Sequence, residues 1–219
     1  MIKGVVFDLD GVLIDSPRIY FLTMKDFISK KGADVSDEEI HNLIAFSLKD
    51  EFHILREKYN INADFEEFVE ETLLRSRDIM ESELQLTEGV TDLISELKRK
   101  NYLIGLASNN NGSTIFYVLK KFGIEKSFDA IVTAEEVKNG KPSPDVYEVA
   151  AKKLGLMPEE CIGIEDSVIG MQAVKNAGMK CVVVTNEFTR KNQFSSADLI
   201  LKSLKELNHS KIMSLDGAR

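Results

Sequence analysis

Short unbroken apolar runs alternate along this chain with longer segments whose apolar residues recur at helical spacing. The runs lie at 5–7, 102–107, 128–132, 161–164, 180–184 and 197–201. Their β-branched content and lack of alternation predict strands buried on both faces. Helical spacing fills 89–100, 113–122, 143–154 and 167–177, and Gly123, Gly155 and Gly178 stand where three of these helices should stop. Strands alternating with helices predict a mostly parallel sheet covered on both sides, a Rossmann-like α/β core.

Residues 16–83 break that rhythm. Ser16-Pro17 reads as a helix start, with Ser16 as N-cap and Pro17 in the first helical position. Phe21, Met24, Phe27 and Ile28 then recur at helical spacing over 18–31, and Gly32 ends the helix. Ser36 with Glu39 forms a capping-box pattern that predicts a helix to about residue 46. Two more helices are predicted at 49–59 and 64–80. In the latter Phe65, Phe68, Val69, Leu73 and Leu74 should line one side, and Glu66, Glu67, Glu70 and Glu71 a solvated face. With no strand-like run, 16–83 is predicted to form a small all-helical cap domain inserted after the first strand, with 1–15 and 84–219 as the core.

The formal net charge of −8 argues against a nucleic-acid partner, whose footprint is basic. No stretch is long and apolar enough to span a bilayer, so no membrane association is expected. Cys161 and Cys181 open apolar runs at a spacing that matches no zinc or redox signature. They read as reduced core thiols of a cytoplasmic protein. His41, His53 and His209 are scattered and read as surface or internally satisfied residues.

The chemistry gathers where strands end, as expected for a parallel sheet. Asp8 and Asp10 follow the first apolar run, and Gly11 permits a sharp turn beside them. Paired carboxylates at a strand mouth need a cation, a donor network or water, and a carboxylate beside a backbone carbonyl suits Mg²⁺. Glu165-Asp166 is a second such pair, and two acidic strand ends in one sheet repel unless a cation bridges them. Ser108 follows another strand and could hold a phosphate oxygen, or simply cap a helix. Lys141, between Gly140 and Pro142, could neutralise a phosphoryl group, or be an ordinary surface lysine.

In order, DLDGV, LASNN, GKPSPD and IEDS resemble the four motifs of the haloacid dehalogenase-like phosphatase superfamily, and the helical insert matches the family's cap position. The pattern GxEDSxxGxxAxxxAG is similar to the subgroup holding phosphoglycolate phosphatase and β-phosphoglucomutase. The resemblance implies Asp8 as nucleophile, forming an aspartyl-phosphate, and Asp10 as general acid and then base. It implies Mg²⁺ held by Asp8, the Asp10 carbonyl and Asp166, with Glu165 ligating directly or through water. It implies phosphate gripped by Ser108 and the Asn109 backbone and balanced by Lys141.

The resemblance also bears on the reaction. Family dehalogenases and phosphonoacetaldehyde hydrolases lack the second aspartate, so Asp10 argues against both. β-Phosphoglucomutases carry a cap histidine and a cap arginine. Tyr20 stands near the first position and Phe46-Ser47-Leu48-Lys49 near the second. The expected activity is hydrolysis of small phosphorylated metabolites. The alternatives are a sugar phosphomutase and a non-catalytic binding protein on the same fold. Tyr20, Lys49 and Arg75 are candidate substrate contacts in the cap. A monomer or weak homodimer is expected.

Overall fold

The computed structural model describes residues 1–43, 48–186, 189 and 193–216. In chain order, strand β1 (Gly4–Phe7) is followed by helices α1 (Ser16–Lys30), α2 (Asp37–Leu43), α3 (Leu48–Tyr59) and α4 (Phe65–Glu83). Then come α5 (Val90–Arg99), β2 (Leu103–Ala107), α6 (Gly112–Lys121), β3 (Ala130–Val132), α7 (Asp145–Leu154) and β4 (Cys161–Glu165). The chain continues through α8 (Val168–Asn176), β5 (Lys180–Val184), β6 (Leu199–Leu201) and α9 (His209–Asp216). Two compact units result: Met1–Ile14 with Leu86–Arg219, and Asp15–Gln85.

The first unit is built on a six-stranded sheet in the order β3-β2-β1-β4-β5-β6, with every pairing parallel. Val5, Val6 and Phe7 have no exposed surface, as a central strand covered on both faces requires. Register sets the level at which the strands end. Phe7 pairs with Leu106 on one side and Ile164 on the other. The next residues, Asp8, Ala107 and Glu165, therefore stand level at the carboxyl ends of three adjacent strands. One core cluster joins Val6, Ala107 and Val132 of the sheet to Val146, Ala150, Ala151, Ala173 and Val174 of α7 and α8.

Several predicted boundaries shift for visible reasons. The strand expected from 128 begins at Ala130, because the Asp129 carboxylate takes the Ile104 N–H at 2.8 Å in place of a ladder carbonyl. α9 is not expected from the sequence pattern. It is short, and Ile212 and Leu215 are its buried residues, too few to stand out as a period. Both cysteines are free and buried, and burial pushes the Cys161 thiol up to about 12. His53 meets Glu57, His41 stacks on Phe21, and His209 Nδ1 lies 3.0 Å from the Tyr102 hydroxyl. Among the described residues no helix is long and apolar enough to cross a membrane.

The second unit is helical throughout its described residues. Its core gathers Met24, Phe27 and Ile28 of α1, Ile40 and Leu43 of α2, Phe52 and Leu55 of α3, and Phe68 of α4. Phe68 sits 5.1 Å from Phe27 and 5.4 Å from Phe52, ring centre to ring centre, so truncating it should cost about 3–5 kcal/mol. The N-cap of α1 is Asp15 rather than Ser16. Its carboxylate accepts the Arg18 N–H at 3.4 Å, which moves Ser16 and Pro17 inside the first turn. The Ser36–Glu39 capping box forms, with Ser36 N–H donating to Glu39 at 3.2 Å and Glu39 N–H to Ser36 Oγ at 3.3 Å. The end expected for that helix, near Phe46, lies outside the described residues.

On α4 the buried residues are Phe68, Thr72 and Ile79, and Phe65 and Val69 pack partly buried on the same core as expected, while Leu73 and Leu74 are exposed. A step of 100° per residue carries 73 and 74 off the line through 68, 72 and 79. The acidic face is partly paired, for Lys31 Nζ lies 2.6 Å from Glu67 and 2.9 Å from Glu71.

Candidate active site

Five polar groups converge beyond the ends of β1, β2 and β4. Asp8 is buried at the end of β1. Lys141 reaches it from the loop before α7, with Nζ 2.6 Å from Asp8 Oδ1, 2.7 Å from Glu165 Oε1 and 3.1 Å from the Ala107 carbonyl. Three acceptors match the three protons of an ammonium. Asp8, Glu165 and Asp166 each place a carboxylate oxygen within 4.8 Å of the others. Asp10 lies in the turn after β1, where its Oδ2 accepts from the Asn110 side-chain amide. Gly11 makes that turn at φ 69°, and any Cβ there would collide with the Asp166 carboxylate. Glycine is thus required twice over at this position.

Ser108 is almost fully buried at the end of β2, and its hydroxyl accepts the Asn110 N–H at 3.1 Å. Asn109 is exposed, and its side-chain oxygen accepts the Lys141 backbone N–H at 3.0 Å. A Cβ at Gly140 would come within 2.9 Å of that oxygen. Asn109 and Gly140 together hold the lysine loop against the end of β2.

The electrostatics reflect crowding of like charges. Burial raises the Asp8 pKa well above the usual carboxylate range, the Lys141 charge opposes it, and Glu165 and Asp10 add to the rise. Burial pulls Lys141 down, but Asp8 and Glu165 outweigh it and keep its pKa above the lysine range. Burial, then the charges of Glu165 and Asp10, push Asp166 up to about 7. Three close carboxylates share one ammonium among the described residues. All their donors are hard oxygens, so the set fits a small hard divalent cation.

The core positions expected from sequence, Asp8, Asp10, Ser108, Asn109, Lys141, Glu165 and Asp166, all lie in this unit around the three strand ends. The helical positions lie in the other unit. Tyr20 of α1 is half-buried and donates its hydroxyl to Glu51 of α3, a buried carboxylate. Lys49 is exposed in the first turn of α3. Arg75 of α4 pairs with Asp26, Nε to Oδ2 3.0 Å. Phe46 and Ser47 lie outside the described residues.

Three residues of the site are not expected from sequence. Asn110 donates to Asp10, Asn186 donates to Asp166 Oδ2 at 3.0 Å, and Tyr147 donates to Glu165 Oε1 at 2.6 Å. Asn110 and Asn186 follow strand ends, where the strand-end rule could have found them. Tyr147 has no such signal, since a buried aromatic on α7 reads as core.

A family model described as haloacid dehalogenase-like hydrolase matches residues 5–184. The chain belongs to this family. It is 34% identical over 210 residues to hexitol phosphatase B of Escherichia coli strain K12, covering 94% of each chain. It is 30% identical over 221 residues to β-phosphoglucomutase of Bacillus subtilis strain 168, covering 94% of this chain and 91% of that one. The crystal structure of CbbY from Rhodobacter sphaeroides in complex with phosphate superposes with a TM-score of 0.71 at 29% identity, covering 94% of this chain and 96% of that one. In this haloacid dehalogenase-like hydrolase, as in its sequence motifs, the polar residues sit on strand ends and the turns after them.

Proposed function

We propose that this chain is a Mg²⁺-dependent phosphatase of small phosphorylated metabolites, of the polyol-, sugar- or glycolate-phosphate type, working through an aspartyl-phosphate at Asp8. The observation that carries the reading is the buried Asp8 carboxylate, held 2.6 Å from Lys141 in a cluster of hard oxygen donors. The 34% identity to hexitol phosphatase B supports the substrate class.

Asp8, the Asp10 carbonyl and Asp166 are the groups that would hold Mg²⁺, with Glu165 beside them, directly or through water, and the cation when bound would supply charge neutralisation for the phosphoryl oxygens. The protein's own groups supply the rest. An Asp8 oxygen forms a bond to phosphorus as the ester P–O bond breaks, and Asp10 gives its proton to the departing alkoxide. Asp10 then takes a proton from water as the water oxygen attacks the aspartyl-phosphate, releasing phosphate and restoring Asp8. The Ser108 hydroxyl and Asn109 backbone hold phosphoryl oxygens, and Lys141 balances their charge. The helical unit serves as the cap, with Tyr20, Lys49 and Arg75 as substrate contacts. We place the enzyme in the cytoplasm as a monomer or weak homodimer.

A phosphomutase is the second reading, favoured by the 30% identity to β-phosphoglucomutase. One assay separates the two. Small phosphate monoesters are supplied with Mg²⁺ and phosphate release is measured. β-Glucose 1-phosphate is included, and glucose 6-phosphate is measured separately. Release from one monoester without isomer establishes the phosphatase. Glucose 6-phosphate without free phosphate establishes the mutase, and neither signal across the panel counts against both.

A further inference from the structure

Glu165 belongs by position to the group of carboxylates that could hold a cation, but its oxygens are already engaged. Oε1 accepts from Lys141 Nζ at 2.7 Å and from the Tyr147 hydroxyl at 2.6 Å. Oε2 accepts from the Asp166 N–H at 3.3 Å and the Ser167 hydroxyl at 3.2 Å. A carboxylate offers about four lone-pair sites, so these donors use its capacity. The group is also walled in. Glu165 has no exposed surface, and a Cβ on Gly170 would collide with its carboxylate. Turning toward a cation would require giving up Lys141 or Tyr147.

Tyr147 touches both members of that ion pair. It is fully buried on α7, its hydroxyl bonds Glu165, and Lys141 Nζ lies 5.0 Å from its ring centre, within cation–π range. We propose that Tyr147 is a positioning residue that fixes Glu165 as the counter-ion of Lys141, so that Lys141 is aimed at Asp8 and the cation is left to Asp8, Asp10 and Asp166. The proposal rests on the phosphatase reading for what Lys141 does to substrate, but the division of labour among the carboxylates can be tested without it.

The test variant is Tyr147→Phe, which keeps the ring and removes one donor. Mg²⁺ alone is titrated calorimetrically into the substrate-free protein, with Asp166→Asn as the reference for loss of a ligand. The proposal expects Tyr147→Phe to bind Mg²⁺ within about twofold of the parent, while Asp166→Asn weakens binding by about tenfold or more. On an active monoester at saturating Mg²⁺, kcat of Tyr147→Phe should fall by about tenfold, with KM changing much less. If Tyr147→Phe weakens Mg²⁺ binding as Asp166→Asn does, Glu165 is a ligand supported by Tyr147 and the proposal is overturned, whatever kcat does. Unchanged kcat in an active enzyme overturns it as well. If the parent hydrolyses nothing in the panel, the phosphatase reading fails by itself, and the Mg²⁺ titration still decides the role of Glu165. A thermal melt matching the parent establishes that the variant is folded.

Discussion

Lys141 and Asp8 stand 133 positions apart in the chain, yet the ammonium lies 2.6 Å from the carboxylate. The side chain of Lys141 is 5% exposed and that of Asp8 10%. A pair this enclosed is held by geometry, because neither charge can retreat to water. Lys141→Ala would leave Asp8 and Glu165 facing each other without their counter-ion. Without Mg²⁺ the variant is expected to be less stable than the parent by about 3–5 kcal/mol, read by urea unfolding, and with Mg²⁺ it is expected to lose its activity. A variant as stable as the parent would show that the pair contributes nothing to the fold.

Asp8 and Asp10 are expected to separate by phenotype. Asp8→Asn should bring turnover to background with an unchanged circular dichroism spectrum, because the amide keeps the shape and loses the nucleophile. Asp10→Asn should lower kcat by about a hundred- to ten-thousandfold. Full activity in Asp8→Asn would remove the aspartyl-phosphate from the mechanism.

Chelation tests the cation. EDTA is expected to abolish phosphate release, and excess Mg²⁺ to restore it. Mg²⁺ should also raise the melting temperature without substrate, since a ligand at about a hundred times its Kd stabilises by about 2.7 kcal/mol. Activity undiminished by EDTA would end the Mg²⁺ assignment.

Gly11→Ala is expected to be costly although it adds a single methyl group. The residue sits at φ 69° and its Cβ would meet the Asp166 carboxylate. The left-handed backbone alone costs about 1–2 kcal/mol, and displacing Asp166 should weaken Mg²⁺ binding. Calorimetric titration of Mg²⁺ into the variant checks this.

The helical unit carries its own pH dependence. Burial raises Glu51 from the ordinary 4.5 to about 7, with the Tyr20 hydrogen bond opposing it. The folded state then holds a proton that the unfolded chain releases above about 4.5. The contribution of Glu51 is full below that pH, is lost as pH rises toward 7, and is flat above. Unfolding measured from pH 4 to 8 should show a decline that is shallower in Glu51→Gln than in the parent, the remainder coming from Asp8 and Asp166, whose burial also raises them. Parallel curves for the two proteins would exclude Glu51 as the source.

The sheet strands are legible in the sequence because each is a buried apolar run, and a run buried on both faces leaves little choice of structure. Helix starts are less so. Asp15, Ser16 and Pro17 all suit a helix N-terminus, and the backbone selects Asp15 as cap. The pattern misplaces the face of α4 at Leu73 and Leu74 because several apolar stripes fit one helix until its neighbours choose among them.

What the sequence by itself determined is the set of candidate site residues: Asp8, Asp10, Ser108, Lys141, Glu165 and Asp166, each at or soon after a strand's end or held in a constrained loop. That much is local, because a polar residue after a buried run has to emerge at the strand's end. Only the tertiary structure decided who touches whom. Parallel register set Asp8 beside Glu165, and the lysine loop brought Lys141 between them. Folding also brought Asn110 to Asp10, Asn186 to Asp166, and Tyr147 to Glu165. Those contacts join residues distant in sequence or side chains whose direction no period encodes.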